Sequence, residues 1–389
     1  MKTLAAALFA LAAAPAGADP LRLRADALAT TQSPAGLLVL DGDTKPTDLT
    51  SAEAIVWTAG GALPGEQHVG DVLVMSLRAR TADNSAAMRV GRFVATLGAT
   101  RPIHVDGAGG RIRLPKRFDA EAYAGIPVLA GLTTARTWDW VAGARVSRRL
   151  GDYGSAGVAF LEERDDGRLA TEEVGADVGL ALGKKDDAAA RAAYDIANPG
   201  LAEVMVTTSH RTKELRAEVY AGYRAASHLL PATSLFTVLG DTPSEHAGGA
   251  ITWHAAPRLD VIGDAGVRYV DSEVAPAITV RGRLRLDDTG KNLLSGEIRR
   301  DGPRDDAWTG ARAALRIALP HELTASSELE LVVPDDPRGR GKVWPWAISA
   351  LGWDHGAWHG AAALEASASP EDRHRVDLLF QLGRAWGVR

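Results

Sequence analysis

Residues 214–226 read Glu-Leu-Arg-Ala-Glu-Val-Tyr-Ala-Gly-Tyr-Arg-Ala-Ala, and their alternation decides the fold. Leu215, Ala217, Val219, Ala221, Tyr223 and Ala225 fall on one side of an extended chain, and Glu214, Arg216, Glu218, Tyr220, Gly222 and Arg224 on the other. Only a strand separates neighbours in this way, because its side-chain period is two; a helix groups residues three and four apart. The same pattern returns at Ala277–Asp287, where Ile278, Val280, Gly282, Leu284 and Leu286 oppose Thr279, Arg281, Arg283 and Arg285. It returns at Phe118–Val128, with Asp119, Glu121 and Tyr123 on the polar side, and at Trp138–Leu150, with Asp139, Arg145, Ser147 and Arg149. Further runs cover 72–80, 170–182, 188–197, 202–211, 259–270, 292–301, 307–319, 323–333, 357–368 and 376–388. Turn-forming sequences such as Ala82-Asp83-Asn84-Ser85, Asp165-Asp166-Gly167, Asn198-Pro199-Gly200 and Asp301-Gly302-Pro303 separate them. The reading is a meander of hairpins with about 22 candidate strands, the three before Asp71 being the weakest.

Composition narrows the setting. The chain has 389 residues, 46% hydrophobic and 24% charged, with a formal charge of -5 and no cysteine. Absence of cysteine excludes disulfide scaffolds, thiolate metal sites and cysteine nucleophiles. The net negative charge leaves no footprint for nucleic acid. Lys2, an apolar stretch Leu4–Ala14 and the small-residue site Ala16-Gly17-Ala18 form a secretory leader. Cleavage would leave residues 19–389 as one domain starting at Asp19. No later stretch is apolar enough for a spanning helix, so the choice lies between a soluble exported protein and a barrel. Charge concentrates on one face of each run, and the other face is nearly all Ala, Val, Leu, Ile, Trp and Tyr. Trp138, Trp140, Trp253, Trp308, Trp344, Trp346, Trp353, Trp358 and Trp386 fall in or at the ends of runs, as in the aromatic girdles of membrane barrels. Closing the sheet would remove its edges. The expected fold is all-β: a single up-and-down antiparallel transmembrane β-barrel of about 18–22 strands in an outer membrane.

Met88-Arg89-Val90-Gly91-Arg92-Phe93, followed by Asp106-Gly107-Ala108 and Phe118-Asp119, resembles the strand pair of large single-chain porins. The last run, with Val376, Leu378, Phe380, Leu382 and Trp386, is similar to the terminal strand by which bacterial outer-membrane barrels are recognised for assembly, although this chain ends Val388-Arg389. The resemblance implies a porin-type channel for small polar solutes. It also implies that the barrel-assembly machinery and outer-membrane lipid are partners. The oligomeric state stays open, and no cofactor or metal is expected.

Two features carry functional expectations. The longest irregular segment, Ser227–Pro243, follows the thirteenth counted strand and holds His228, Thr233, Ser234, Phe236 and Asp241. It is either a loop folded into the lumen as a constriction or an external ribbon. The polar faces supply a basic arc, Arg281, Arg283, Arg285, Arg299, Arg312 and Arg316, and an acidic arc, Asp119, Glu121, Asp139, Glu173 and Asp177. If they face each other across water, they orient solutes and favour anions. If they pair across strands, with Glu214, Glu218, Glu328 and Glu330 taking part, the field is local. A closed docking barrel for a lipoprotein or export partner and a soluble β-propeller-like binder remain alternatives. Catalytic signals are poor. No Gly-x-Ser-x-Gly elbow or phosphate-binding glycine loop occurs, and the Ser-His pairs Ser244/His254 and Ser209/His210 lack support. Asp354, His355 and His359 span a hairpin turn, where metal-ligand spacing for a helix has no meaning. The Gly-rich stretch Asp106–Gly110 reads as a bulge or bend.

Overall fold

The structure, a computed structural model, describes residues 21–30, 35–44, 49–63, 66–128, 139–225, 244–270, 273–303, 306–336, 342–368 and 374–386. The leader expected at 1–18 lies outside them.

The first quarter of the ring comprises β1 (Leu21–Thr30), β2 (Ala35–Thr44), β3 (Thr50–Leu63), β4 (Glu66–Arg80), β5 (Ala86–Ala95) and β6 (Ile103–Leu114). Next come β7 (Phe118–Pro127), β8 (Trp140–Arg149), β9 (Gly154–Asp165), β10 (Arg168–Ala181), β11 (Asp186–Asp195) and β12 (Gly200–Arg211). Then follow β13 (Leu215–Arg224), β14 (Ser244–Ala256), β15 (Leu259–Val270), β16 (Glu273–Arg285) and β17 (Leu293–Asp301). The ring is completed by β18 (Trp308–Leu319), β19 (Leu323–Pro334), β20 (Trp344–His355), β21 (Trp358–Ser367) and β22 (Arg375–Trp386). Each strand pairs antiparallel with the next, and β1 pairs with β22 from Leu23↔Trp386 to Thr30↔Leu379. One 22-stranded sheet therefore closes on itself. Closure satisfies the backbone groups that a flat sheet would leave at two edges, which in lipid would have no water to bond.

The face assignment follows from exposure. Val219, Ile251, Val267, Val280, Ile298, Leu329 and Leu364, on β13–β17, β19 and β21, are exposed apolar side chains on the face opposite the charged one. Outward aromatic residues gather at strand ends: Trp253, Trp353 and Trp358 at one rim, Trp140, Tyr194 and Tyr269 at the other. These are the two interfacial girdles. Not every tryptophan joins them. Trp308 lies against Arg299 on the inner face, 4.7 Å from the guanidinium, and Trp346 donates from Nε1 to Glu365 at 2.7 Å.

The connections are asymmetric. Those after even-numbered strands are short, such as 150–153, 212–214, 257–258 and 356–357. The longest, 128–139, 225–243 and 335–343, all follow odd-numbered strands. Short turns mark the periplasmic rim, so an even strand number puts both ends of the ring there. The segment 226–243 does follow the thirteenth strand, but it lies outside the described residues.

The glycine-rich stretch of β6 is regular strand, not a bulge: its register with β5 and β7 is unbroken through Gly107 and Gly109. The glycines serve close packing instead. A β-carbon at Gly107 would press on the Ala124 carbonyl and lie 2.7 Å from Gly125 Cα.

Candidate functional site: the inner wall and the segment 96–102

β5 ends at Ala95, and the seven residues before β6 turn inward. Leu97, Ala99 and Thr100 are almost wholly buried. Leu97 joins Phe93, Ala95, Ile103, Val105, Tyr123, Val141, Ala159 and Leu161 in one apolar cluster on the inner faces of β5–β9. Ala99 packs with Ala193 of β11 and Ala202 of β12. Those strands lie several places around the ring, so 96–102 must cut across the inside as a chord. Inner-face glycines provide its seat. A β-carbon at Gly143 would stand 2.7 Å from the Tyr123 ring, and one at Gly175 would stand 3.1 Å from Ala99. Gly98 has φ +55°, a left-handed conformation that favours glycine, and a side chain there would collide with the Asp177 carboxylate.

Arg101 pins the far end. Its backbone N–H donates to Glu173 Oε2 at 3.0 Å and its Nε to Oε1 at 2.5 Å, while Asp195 stands 3.6 Å from Nη2. Glu173 has no exposed surface. A carboxylate so buried needs both a counter-charge and hydrogen bonds, and Arg101 supplies both. Beneath the segment, Arg145 is bidentate to Asp177, at 2.6 and 3.1 Å, with Glu121 at 3.8 Å. Asp119 faces Arg149 at 3.7 Å and Arg113 at 4.0 Å. Four members of the expected acidic arc, Asp119, Glu121, Asp177 and Glu173, thus meet arginines within their own arc. The fifth, Asp139, precedes β8 and accepts the Asp166 N–H at 2.8 Å at the long-loop rim.

The arginines of the expected basic arc all sit on inner-face positions of β16–β18, and most are paired. Arg281 donates from Nε to Glu297 at 2.7 Å, Arg312 meets Glu328 at 2.6 Å, and Arg285 meets Asp260 at 3.4 Å. Arg299 bonds Glu330. Each pair bridges neighbouring or next-neighbouring strands, so the charge is compensated within the arc, not across the lumen. Arg283, opposite Asp260 and Ser295, and Arg316, opposite Leu293 and Ser326, are exposed and make no hydrogen bond or ion pair with a described residue. The constriction candidates His228, Thr233, Ser234, Phe236 and Asp241 lie outside the described residues. Sequence reading missed 96–102 because the segment is short; the left-handed glycine among apolar residues was its only signal.

The Gly-Arg and Asp-Gly residues do come together. Arg92 is bidentate to Asp106, at 2.8 and 2.7 Å, and reaches Asp71 at 3.0 Å on the outer side near the long-loop rim. The suggested Ser–His pairs do not form: His210 bonds Asp186 and Ser209 bonds Asp187 on opposite faces, and His254 bonds Asp260.

No family model matches the sequence, and no curated protein matches it. Among solved structures, the P pilus usher (PapC) translocation pore superposes with a TM-score of 0.53 at 8% identity, over 95% of this chain and 99% of that one. A chain of the E. coli P pilus tip assembly intermediate PapC-PapD-PapK-PapG gives 0.59 at 11% identity, over 95% of this chain but only 61% of that chain's length. The ferric enterobactin receptor PfeA of Pseudomonas aeruginosa gives 0.55 at 8%, over 96% and 81%. At such identities the likeness is one of fold alone. With the closed ring, the lipid-facing apolar band and the two girdles already in place, it makes this chain a large single-chain β-barrel with the fold of outer-membrane barrels.

Proposed function

We propose that the barrel is a channel for small polar solutes, narrowed by the segment 96–102. The observation that carries this reading is the inward chord. A ring of this many strands encloses more space than its wall side chains fill. Here the inner wall of β16–β19 carries Arg281, Arg283, Arg285, Glu297, Arg299, Arg312, Arg316, Glu328 and Glu330 among small and polar side chains, and one short segment takes up lumen on the β5–β12 side. Water and small polar solutes would pass beside the chord, along the arginine-bearing wall. Arg283 and Arg316 are the contacts most available to a passing anion, because they are exposed and no carboxylate among the described residues forms an ion pair with them; the preference they confer is weak, since their neighbours are paired. The segment 226–243, with His228, Thr233, Ser234, Phe236 and Asp241, is proposed to add a second constriction from the long-loop rim. Cleavage after Ala18 and folding by the barrel-assembly machinery complete the reading.

The test is single-channel recording of the purified, refolded chain in planar bilayers. Ohmic steps are expected, with a reversal potential in a KCl gradient displaced slightly toward the chloride value. A protein that inserts yet never conducts would leave a docking barrel in place of the channel.

A further inference from the structure

The outer wall carries a second feature that solute passage does not use. Across β5–β8, near the short-turn rim, the lipid-facing side chains are small: Gly110, Ala120, Ala122 and Ala144 lie in register between the larger Met88, Ile112 and Val146. They form an apolar furrow of about 750 Å³. Toward the rim the next register pair is Phe118↔Arg148. Arg148 is exposed, faces outward, and lies 5.4 Å from the Phe118 ring, with no carboxylate partner among the described residues. The turn 115–117 adds Lys116 and Arg117, both held at positive φ, and Arg117 reaches toward the next turn at Gly151. The acids at this rim do not cancel the set. Asp119 points inward to Arg113 and Arg149, and of the turns 81–85, 115–117 and 150–153 at this rim the acids are Asp83, engaged by its own turn, and Asp152.

We infer that this furrow and the cations at its mouth form a binding site for an anionic diacyl phospholipid of the periplasmic leaflet. Hydrocarbon fills a lipid-facing furrow, and an unpaired arginine at the interface seeks a phosphate, because its stem lies along apolar surface while its head needs a polar partner. A lipid places both parts at the right ends: chains over Gly110, Ala122 and Ala144, phosphate at Arg148, Lys116 and Arg117. The short-turn rim faces the leaflet that holds phospholipid. A second copy of the chain fits less well, since an isologous contact over the furrow would bring two cationic sets together.

The test uses the full chain in detergent, exposed to phosphatidylglycerol or phosphatidylethanolamine and read by native mass spectrometry. One phosphatidylglycerol should survive delipidation where phosphatidylethanolamine does not. Each juxtamembrane cation contributes on the order of fivefold, so Lys116→Gln/Arg117→Gln/Arg148→Gln should lower retention about a hundredfold. Ala122→Leu, which fills the furrow and leaves the charges, should also lower it. Heat-modifiable migration on gels checks that each variant folds. Equal retention of the two lipids, unchanged retention in the triple variant, or a lipid-free dimer dispersed by Ala122→Leu would each overturn the site. None of these readouts depends on conductance.

Discussion

Replacing Glu173 by alanine tests whether 96–102 is a structural part of the lumen or a passive lining. Glu173 is fully buried and is bonded by both the backbone and the side chain of Arg101. Removing one member of a buried ion pair costs about 3–5 kcal/mol, because the surviving charge is left desolvated. Asp195, 3.6 Å from Arg101, recovers part of that. A remainder of about 3 kcal/mol would raise the open population of the segment by roughly 150-fold. Beyond that contact with Asp195, the remaining tethers, Leu97 in the apolar cluster and Ala99 on Ala193, are apolar. Single-channel conductance should therefore rise, with more frequent fluctuations. Because the chain has no cysteine and Thr100 is buried, Thr100→Cys provides a clean reporter, whose thiol should become more reactive toward a charged reagent in the Glu173→Ala background. If Thr100→Cys becomes reactive while conductance stays at the wild-type value, the segment does not limit the pore and the proposed constriction is wrong.

Gly98→Val should act in the same direction, since its side chain would meet Asp177 and Arg145 in a left-handed conformation; recording should show larger steps than wild type, and unchanged steps would argue against the chord. Arg283→Glu with Arg316→Glu should move the reversal potential toward cation selectivity, whereas Arg281→Glu beside Glu297 should chiefly destabilise the wall, which urea unfolding in detergent separates. Gly107→Ala should lower stability by about 1–3 kcal/mol through overpacking against Ala124 and Gly125, read as a shifted unfolding midpoint with conductance intact. In the β4–β5 turn, the Thr81 hydroxyl and the Ser85 amide hold the Asp83 carboxyl down to about 2. Its folded pKa lies below the unfolded one, so its support of the turn is complete above about pH 4 and is lost as pH falls through about 2, which carboxyl chemical shifts can follow.

Much of the barrel was legible in the chain because alternation is a local property. A period of two, repeated between turn sequences, placed β7, β8, β10–β13, β15–β19, β21 and β22 to within a few residues. It assigned each side chain a face before any partner strand was known. Even the position of the longest segment after the thirteenth strand follows from counting. The first strands were weaker to read since Gly60-Gly61 and the bulge at Leu73 break the alternation there. The site was less legible. Which carboxylate an arginine meets depends on register and on strands two places away, as with Arg145–Asp177 and Arg299–Glu330. The sequence shows two blocks of charge, and only pairing shows that each neutralises itself.

What the chain determined by itself is therefore the strand period, the sorting of oily from charged faces, and the membrane setting, all consequences of side-chain chemistry between neighbours. Tertiary structure alone decided that the ring closes β1 on β22, that 96–102 turns inward, and that Arg101 of that segment meets Glu173 far along the sequence. The reason is geometric. A chord across a barrel has no signature in the residues between its ends until curvature brings a distant strand's buried carboxylate within reach of its arginine.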